Sequence, residues 1–149
     1  MLIGSYEHSV DAKGRVFIPA KWREDLGTTV VVMPGITGSS EDKCLTCMSL
    51  SSWEEMLTKF KTVAMTDAIA QRTLRSLLAR SADCDTDKQG RILITAPLRE
   101  LGEIDKEAVL VGMGNRIEIW SSKLWKEYCE REAQNGDDDV WQHLMGLGI

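Results

Sequence analysis

Two short segments of this 149-residue chain carry side chains suited to binding a phosphate or a nucleobase. Each reads Asp-x-x-Gly-Arg, once from Asp11 to Arg15 and once from Asp87 to Arg91. The glycine permits a tight turn, and the carboxylate accepts hydrogen bonds from the amides that follow it. The same carboxylate is predicted to hold the arginine in a bidentate pair. An arginine held in this way presents a flat fork of donors to a phosphate or to the O6 and N7 atoms of guanine.

Two lysines add positive charge beside the turns. Lys13 lies in the first turn and Lys88 in the second, where each would contact phosphates and so position the protein. The alternative is that both turns hold purely structural ion pairs, which are common and mostly solvated. A turn needs the aspartate and the glycine but not the arginine, so the residues alone leave both interpretations open. The candidate DNA-binding residues are Asp11, Lys13, Gly14, Arg15, Asp87, Lys88, Gly90 and Arg91.

The turns belong to a longer internal repeat, which indicates a duplicated folding unit. Residues 11–24 align with residues 87–100 at a constant shift of 76, and seven of the fourteen aligned positions are identical. Each copy is predicted to run β-turn-β-α-β-β-α, because β-rich segments are separated by turn residues and followed by helix starts. The predicted strands span about 2–6, 15–18, 28–33, 44–50, 83–87, 90–94, 108–111 and 116–120; the predicted helices span about 20–26, 52–64, 67–81, 96–101 and 121–133.

One copy alone is too small to enclose a core, so the two copies are predicted to interleave their hairpins. The predicted fold class is α+β, mainly β, with two tandem β-β-α-β-β-α units forming one pseudo-two-fold barrel with flanking helices. We expect a single domain over residues 1–136. It consists of one repeat at about 1–50 and one at about 82–125, linked by helices at about 52–81. An acidic C-terminal tail follows at 137–149, either disordered or a short helix that docks on a neighbour.

Charge and composition narrow the functional classes. The net charge is −5, and residues 127–139 alone contribute −5, so the remaining chain is neutral and has room for a local basic face. The start of the chain does not resemble a signal peptide, no segment is apolar enough to span a membrane, and the four cysteines follow no secreted disulfide pattern. These features predict a cytoplasmic protein. No nucleophile with a base, catalytic carboxylate pair or phosphate-binding loop indicates an enzyme, a cofactor or a small-molecule substrate.

The remaining metal-ligating residue types carry weaker signals. Cys44-x-x-Cys47 has no second pair at zinc spacing, so the interpretation is buried, unreactive thiols and no metal. His8, near the first hairpin, is interpreted as solvated or turn-bonded rather than as a phosphate donor. Trp53 and Trp125 occupy similar places in the two copies and are interpreted as packing residues at a subunit contact.

Several motifs together resemble the MraZ family. They are Met1-x-x-Gly4-x-Tyr6-x-His8-x-x-Asp11-x-Lys-Gly-Arg-x-x-Ile-Pro-Ala, Arg75-x-x-x-x-Arg80-x-Ala82, Asp87-Lys-Gln-Gly-Arg-Ile-Leu-Ile and Val111-Gly-x-Gly-x-Arg-Ile-Glu-Ile-Trp-Ser-x-x-x-Trp125. The resemblance runs from Met1 to about Tyr128. One departure is Ala12, where an acidic residue is more usual.

The resemblance implies a bacterial transcriptional regulator with an AbrB-like swapped-hairpin fold, located in the cytoplasm and on the nucleoid. It implies a homo-oligomeric ring that binds tandem G-rich boxes in double-stranded DNA, upstream of the cell-division and cell-wall gene cluster and its own gene. The DNA-contacting signature falls on Asp11, Arg15, Asp87 and Arg91. The alternative is an oligomeric protein-binding scaffold of antitoxin-like fold without specific DNA readout.

Overall fold

The computed structural model describes residues 1–136 and 138–149. Asp137, part of the predicted acidic tail, lies outside the described residues. A short 3-10 turn at Ala20–Trp22 precedes the first α-helix. The other elements, in chain order, are β1 (Ser5–Ser9), β2 (Arg15–Phe17), α1 (Arg23–Leu26), β3 (Thr29–Pro34), β4 (Leu45–Ser49), α2 (Leu50–Phe60), α3 (Ala68–Leu78), β5 (Ala82–Asp85), β6 (Arg91–Leu93), α4 (Ala96–Leu101), β7 (Glu107–Gly112), β8 (Ile117–Ser121), α5 (Ser122–Asn135) and α6 (Asp138–Gly146).

The strands of the two repeats interleave, as predicted. Six strands form an antiparallel sheet in the order β1-β7-β8-β4-β3-β5, so β1 of the first repeat pairs with β7 of the second. Likewise β5 of the second repeat pairs with β3 of the first. The two remaining strands, β2 and β6, pair only with each other as an antiparallel two-stranded sheet, called the ribbon below. The α+β, mainly β, fold class is therefore confirmed.

The sheet is open rather than closed into a barrel. Within the described residues its hydrogen-bonded order ends at β1 on one side and at β5 on the other. Closure would need β2 and β6 to pair with these edge strands, but β2 of the first repeat and β6 of the second pair with each other instead. The ribbon's links to the preceding segments include a bridge from Val16 to Val10, a hydrogen bond from the Leu93 amide to the Cys84 thiol, and hydrogen bonds from the Asp11 and Asp87 amides to the carbonyls of Arg15 and Arg91.

The core lies between the six-stranded sheet and the ribbon. Alternation along each three-residue ribbon strand buries Val16 and Ile92 and turns the flanking residues outward. Trp22 and Leu98, at equivalent repeat positions, are fully buried from the two short helical segments that follow the ribbon strands. The predicted helix at 20–26 begins as a 3-10 turn and ends at Gly27, whose φ of +75° suits glycine.

The longer helices pack outside this core. Met33 and Met48 of the sheet form a second apolar cluster with Trp53 and Leu77 of α2 and α3. Trp125 packs within the chain against Trp120, with ring centroids 5.4 Å apart. Trp53 and Trp125 thus both have packing partners within the chain and stay half-buried, and their role at a subunit contact remains a prediction. None of the helices described is both long and apolar enough to cross a membrane.

Candidate nucleic-acid interface

The first turn is held by hydrogen bonds to the carboxylate of Asp11. Its Oδ1 atom accepts hydrogen bonds from the backbone amides of Lys13 at 3.0 Å and Arg15 at 2.9 Å. Its Oδ2 atom accepts a hydrogen bond from Nε of Arg15 at 2.7 Å. The backbone closes the same loop, because the Gly14 amide donates to the Asp11 carbonyl at 2.9 Å.

The second turn repeats this geometry. Asp87 Oδ1 accepts from the amides of Gln89 and Arg91, each at 2.9 Å, and Oδ2 accepts from Nε of Arg91 at 2.8 Å. In both turns the hydrogen bond from the arginine amide is the main cause that lowers the pKa of the aspartate, against some desolvation and with help from the arginine side chain. Both carboxylates are therefore ionised at neutral pH.

The predicted bidentate pair between aspartate and arginine is wrong. One carboxylate oxygen is taken by two backbone amides, so each arginine reaches the other oxygen through Nε alone. This arrangement fixes the base of the guanidinium group and leaves its outer Nη atoms free of the turn's own aspartate. Those atoms are the ones that a bidentate contact with guanine or a phosphate requires.

Each turn also lies against an arginine from the other repeat. A Cβ atom on Gly14 would overlap the guanidinium of Arg99, and one on Gly90 would overlap that of Arg23. Arg99 donates to the carbonyls of Ile94 and Lys13, while Arg23 donates to the carbonyl of Ile18 at 3.0 Å.

The backbone crosses between the repeats in the same way. The Ile94 amide donates to the Gly14 carbonyl and the Ile18 amide to the Gly90 carbonyl, each at 2.9 Å. Both glycines have positive φ, +87° and +83°. Sequence reasoning gave Arg23 and Arg99 no role, although their identity across the repeat was the signal that could have found them.

The ribbon brings the two signature arginines onto one outward face. Arg15 lies opposite Leu93 and Phe17 lies opposite Arg91 in its register. Two residues separate the arginines along the strands, or about 7 Å, with one inter-strand spacing across. The Nη1 atom of Arg91 also lies 3.6 Å from Asp11 Oδ2, which links the two turns directly. Phe17 and Leu93 are half-exposed on the same face.

The other candidate residues flank this face. Lys13 and Lys88 are exposed, whereas Gly14 and Gly90 are buried beneath the crossed arginines. The structure therefore brings all eight candidate residues together around one ribbon.

The Cys44 and Cys47 thiols lie in the interior, as predicted. Burial raises the pKa of each to about 12. The part of the chain that the structure describes contains no cluster of three or more His, Cys, Asp or Glu side chains that could hold a metal ion.

His8 differs from its prediction. Its Nε2 atom is buried and has no hydrogen-bond partner among the described residues, and its ring lies 6.5 Å from that of Phe17. The imidazole is therefore half-buried on β1 beside Phe17, with its Nε2 atom shielded from solvent.

Comparisons with known proteins match this chain over its full length. A family model described as "MraZ protein, putative antitoxin-like" matches twice, at residues 1–76 and 77–143. A protein of Thermoanaerobacter sp. (strain X514), named transcriptional regulator MraZ, is 43% identical over 152 residues and covers 100% of both chains. Proteins of the same name from Carboxydothermus hydrogenoformans and Caldanaerobacter subterraneus subsp. tengcongensis are 44% and 41% identical, with 97% and 100% of each chain covered.

Proposed function

The chain belongs to the MraZ family, and we propose from this premise that it is a non-enzymatic transcriptional regulator that binds double-stranded DNA through its ribbon. Its relatives are named as transcriptional regulators. The observation that carries the proposal is the pair of arginines, each fixed at Nε by the aspartate of its own turn, on one face of a two-stranded ribbon.

The ribbon has the size and chemistry of a major-groove reader. The B-DNA major groove is about 12 Å wide and admits a two-stranded β-ribbon. Arg15 and Arg91 would donate to guanine, while half-exposed Phe17 and Leu93 would contact the apolar parts of the bases. Lys13 and Lys88, exposed beside the turns, would contact the phosphates on either side. We therefore expect a preference for G-rich sites.

The ribbon of a single chain carries few positive charges, so we propose that assembly supplies the affinity. Several subunits in a ring would engage neighbouring boxes at high effective concentration, which can raise avidity by about 10²–10⁴ without new contacts. The expected target is a set of tandem G-rich boxes upstream of the cell-division and cell-wall gene cluster, including the promoter of its own gene. The expected location is the cytoplasm, on the nucleoid, with residues 1–136 folding as one unit.

The test is a footprint on the DNA upstream of the chain's own gene. We expect wild type to protect tandem G-rich boxes and the Arg15→Ala/Arg91→Ala variant to lose protection. Each arginine should contribute about 1–3 kcal/mol per engaged site. The matched control is Lys61→Ala/Arg75→Ala, which removes two exposed positive charges outside the ribbon, one just after α2 and one on α3. Equal loss in both variants would reduce the interaction to nonspecific charge attraction.

Two further measurements separate DNA binding from the scaffold alternative. Binding should weaken steeply as salt is added, because phosphate contacts release counterions. DNA with two or more boxes should bind more tightly than DNA with one. A chain that assembles but shows no salt-dependent DNA affinity would instead be a protein-binding scaffold.

A further inference from the structure

The C-terminal helix α6 presents an apolar face that the described residues of its own chain leave largely exposed. Trp141 is 65% exposed and Met145 is 75% exposed, and both lie on the same side of the helix as Leu144. Val140, beside them, is 51% exposed. A nine-residue helix is marginally stable in water by itself, so docking of this face would be its main source of stability.

An open groove of about 800 Å³ lies between α3 and the loop at 34–40, and is called the α3 groove below. Ile36, Phe60, Leu74 and Leu77 supply its apolar walls. Arg72 and Arg80 lie among its lining residues. A groove with apolar walls and a charged rim fits an amphipathic helix of opposite charge.

The charges of the two segments are complementary. Residues 68–82 contain three arginines and no acidic residue. Residues 132–146 contain four acidic residues and no lysine or arginine. Such a separation of sign is unusual in a chain whose other charges are mixed, and it favours contact between these two segments.

We propose that α6 of one chain docks in the α3 groove of a second copy. In its own chain α6 is tied to α5 by only two residues, and no described α6 residue lines the groove. Arg131, one turn before the end of α5, pairs with Asp42 at 3.4 Å and adds to this restraint. The short connection between α5 and α6 does not restrict docking of α6 in the groove of another copy. Since every chain carries both a tail and a groove, head-to-tail contacts of this kind generate a ring when the rotation from one copy to the next closes.

This inference rests on the assembly proposed above and names one of its interfaces. The test replaces Trp141 with the photo-crosslinker p-benzoyl-phenylalanine in the full chain, mixed one to one from ¹⁴N and ¹⁵N protein. We expect cross-linked peptides that join residue 141 to residues 34–40 or 72–80, with half of them carrying mixed isotopes. Cross-links within one isotope only would show docking inside a single chain and would overturn the inference.

Charge variants sharpen this result. Arg72→Glu should lower the cross-link yield by about two- to fivefold, the effect of a partly exposed ion pair, and Asp139→Lys on the partner copy should restore it. The matched control is Arg75→Glu, on the same helix but absent from the groove lining, which should leave the yield unchanged. Equal losses for both variants would overturn the assignment of the groove.

Mass measurement separates the two proposals. An oligomer of unchanged size that protects DNA but gives no cross-link to the groove would overturn this interface alone. A monomeric chain would overturn both the interface and the ring.

Discussion

The two Asp-x-x-Gly-Arg turns share one frame, the hydrogen bonds of the aspartate and the contact of the glycine with the arginine of the other repeat. They differ in what lies beside the signature arginine. Arg91 stacks over the Phe17 ring at 5.8 Å and approaches Asp11, so its side chain is 19% exposed. Arg15 faces Leu93 instead and is 34% exposed. The repeat therefore retains the hydrogen bonds that fix each turn, while the residues across the ribbon determine how freely each arginine reaches outward. We infer that the first turn is the more available for binding.

The largest expected effect comes from breaking the frame that both turns share. In Gly14→Ala the new methyl group would meet the Arg99 guanidinium at a backbone φ of +87°. We expect a loss of about 2–4 kcal/mol in the free energy of unfolding, from left-handed backbone strain and displacement of the arginine. Urea denaturation measures it.

Two companion variants test the cause. Gly38→Ala introduces the same residue at a φ of +76° in open space, and should cost only about 1 kcal/mol from backbone strain. Adding Arg99→Ala to Gly14→Ala should recover part of the loss, because it removes the overlapping group. Full additivity of the two substitutions would contradict the crossed contact.

Single substitutions of the two arginines test the inferred difference between the turns. Arg15→Ala should cost more DNA affinity than Arg91→Ala, within the range of about 1–3 kcal/mol for a guanine contact. The reason is that Arg91 is partly engaged by Phe17 and Asp11. A gel-shift titration on multi-box DNA measures both. The reverse order would mean that stacking prepares Arg91 for binding rather than withholding it.

Phe17→Leu would place a leucine opposite each signature arginine, since Arg15 already faces Leu93. It removes the cation–π contact, worth about 0.5 kcal/mol at a partly exposed site, and frees the Arg91 side chain. We expect the affinity losses of Arg15→Ala and Arg91→Ala to become more nearly equal in this background. If the two affinity losses still differed as much as in wild type, the aromatic ring of Phe17 would not be the cause of the difference.

The smallest expected effect concerns acid stability. The pKa of each aspartate is lowered in the folded chain, chiefly by the arginine amide. Stability from this source is therefore present above the unfolded pKa of about 4 and is lost as pH falls through the lower folded value. The stability deficits of Asp11→Asn and Asp87→Asn should shrink as the pH is lowered from 7 to 3. The deficit of Asp11→Asn should be the larger, since Asp11 also faces Arg91. Urea midpoints across that range provide the measurement.

Much of the fold could be predicted because its signals are local. Alternation, turn residues and helix starts indicated the order of elements, and Ser121, the first residue of the helix predicted at 121–133, caps α5. The two turns were predicted for the same reason, since aspartate accepts from amides only two and four residues away.

What the sequence could not provide depends on contacts between distant residues. The close contact between the Arg99 guanidinium and Gly14 joins residues 85 positions apart, and no local sequence pattern predicts it. The bidentate pair failed because backbone amides compete for the carboxylate. The sheet is open because β2 and β6 pair with each other and not with its edge strands, and this pairing depends on tertiary packing.

The exchange of strands between the repeats has a consequence for how such a protein can change. Duplication usually releases one copy to drift while the other keeps the original task. Here β1 completes the sheet of the second half and β5 that of the first, and each turn rests on an arginine from the opposite half. Neither half can lose its frame without unfolding the other. Variation is therefore expected mainly at the few outward positions of the ribbon, where the residues of one turn can change while both halves remain parts of a single structure.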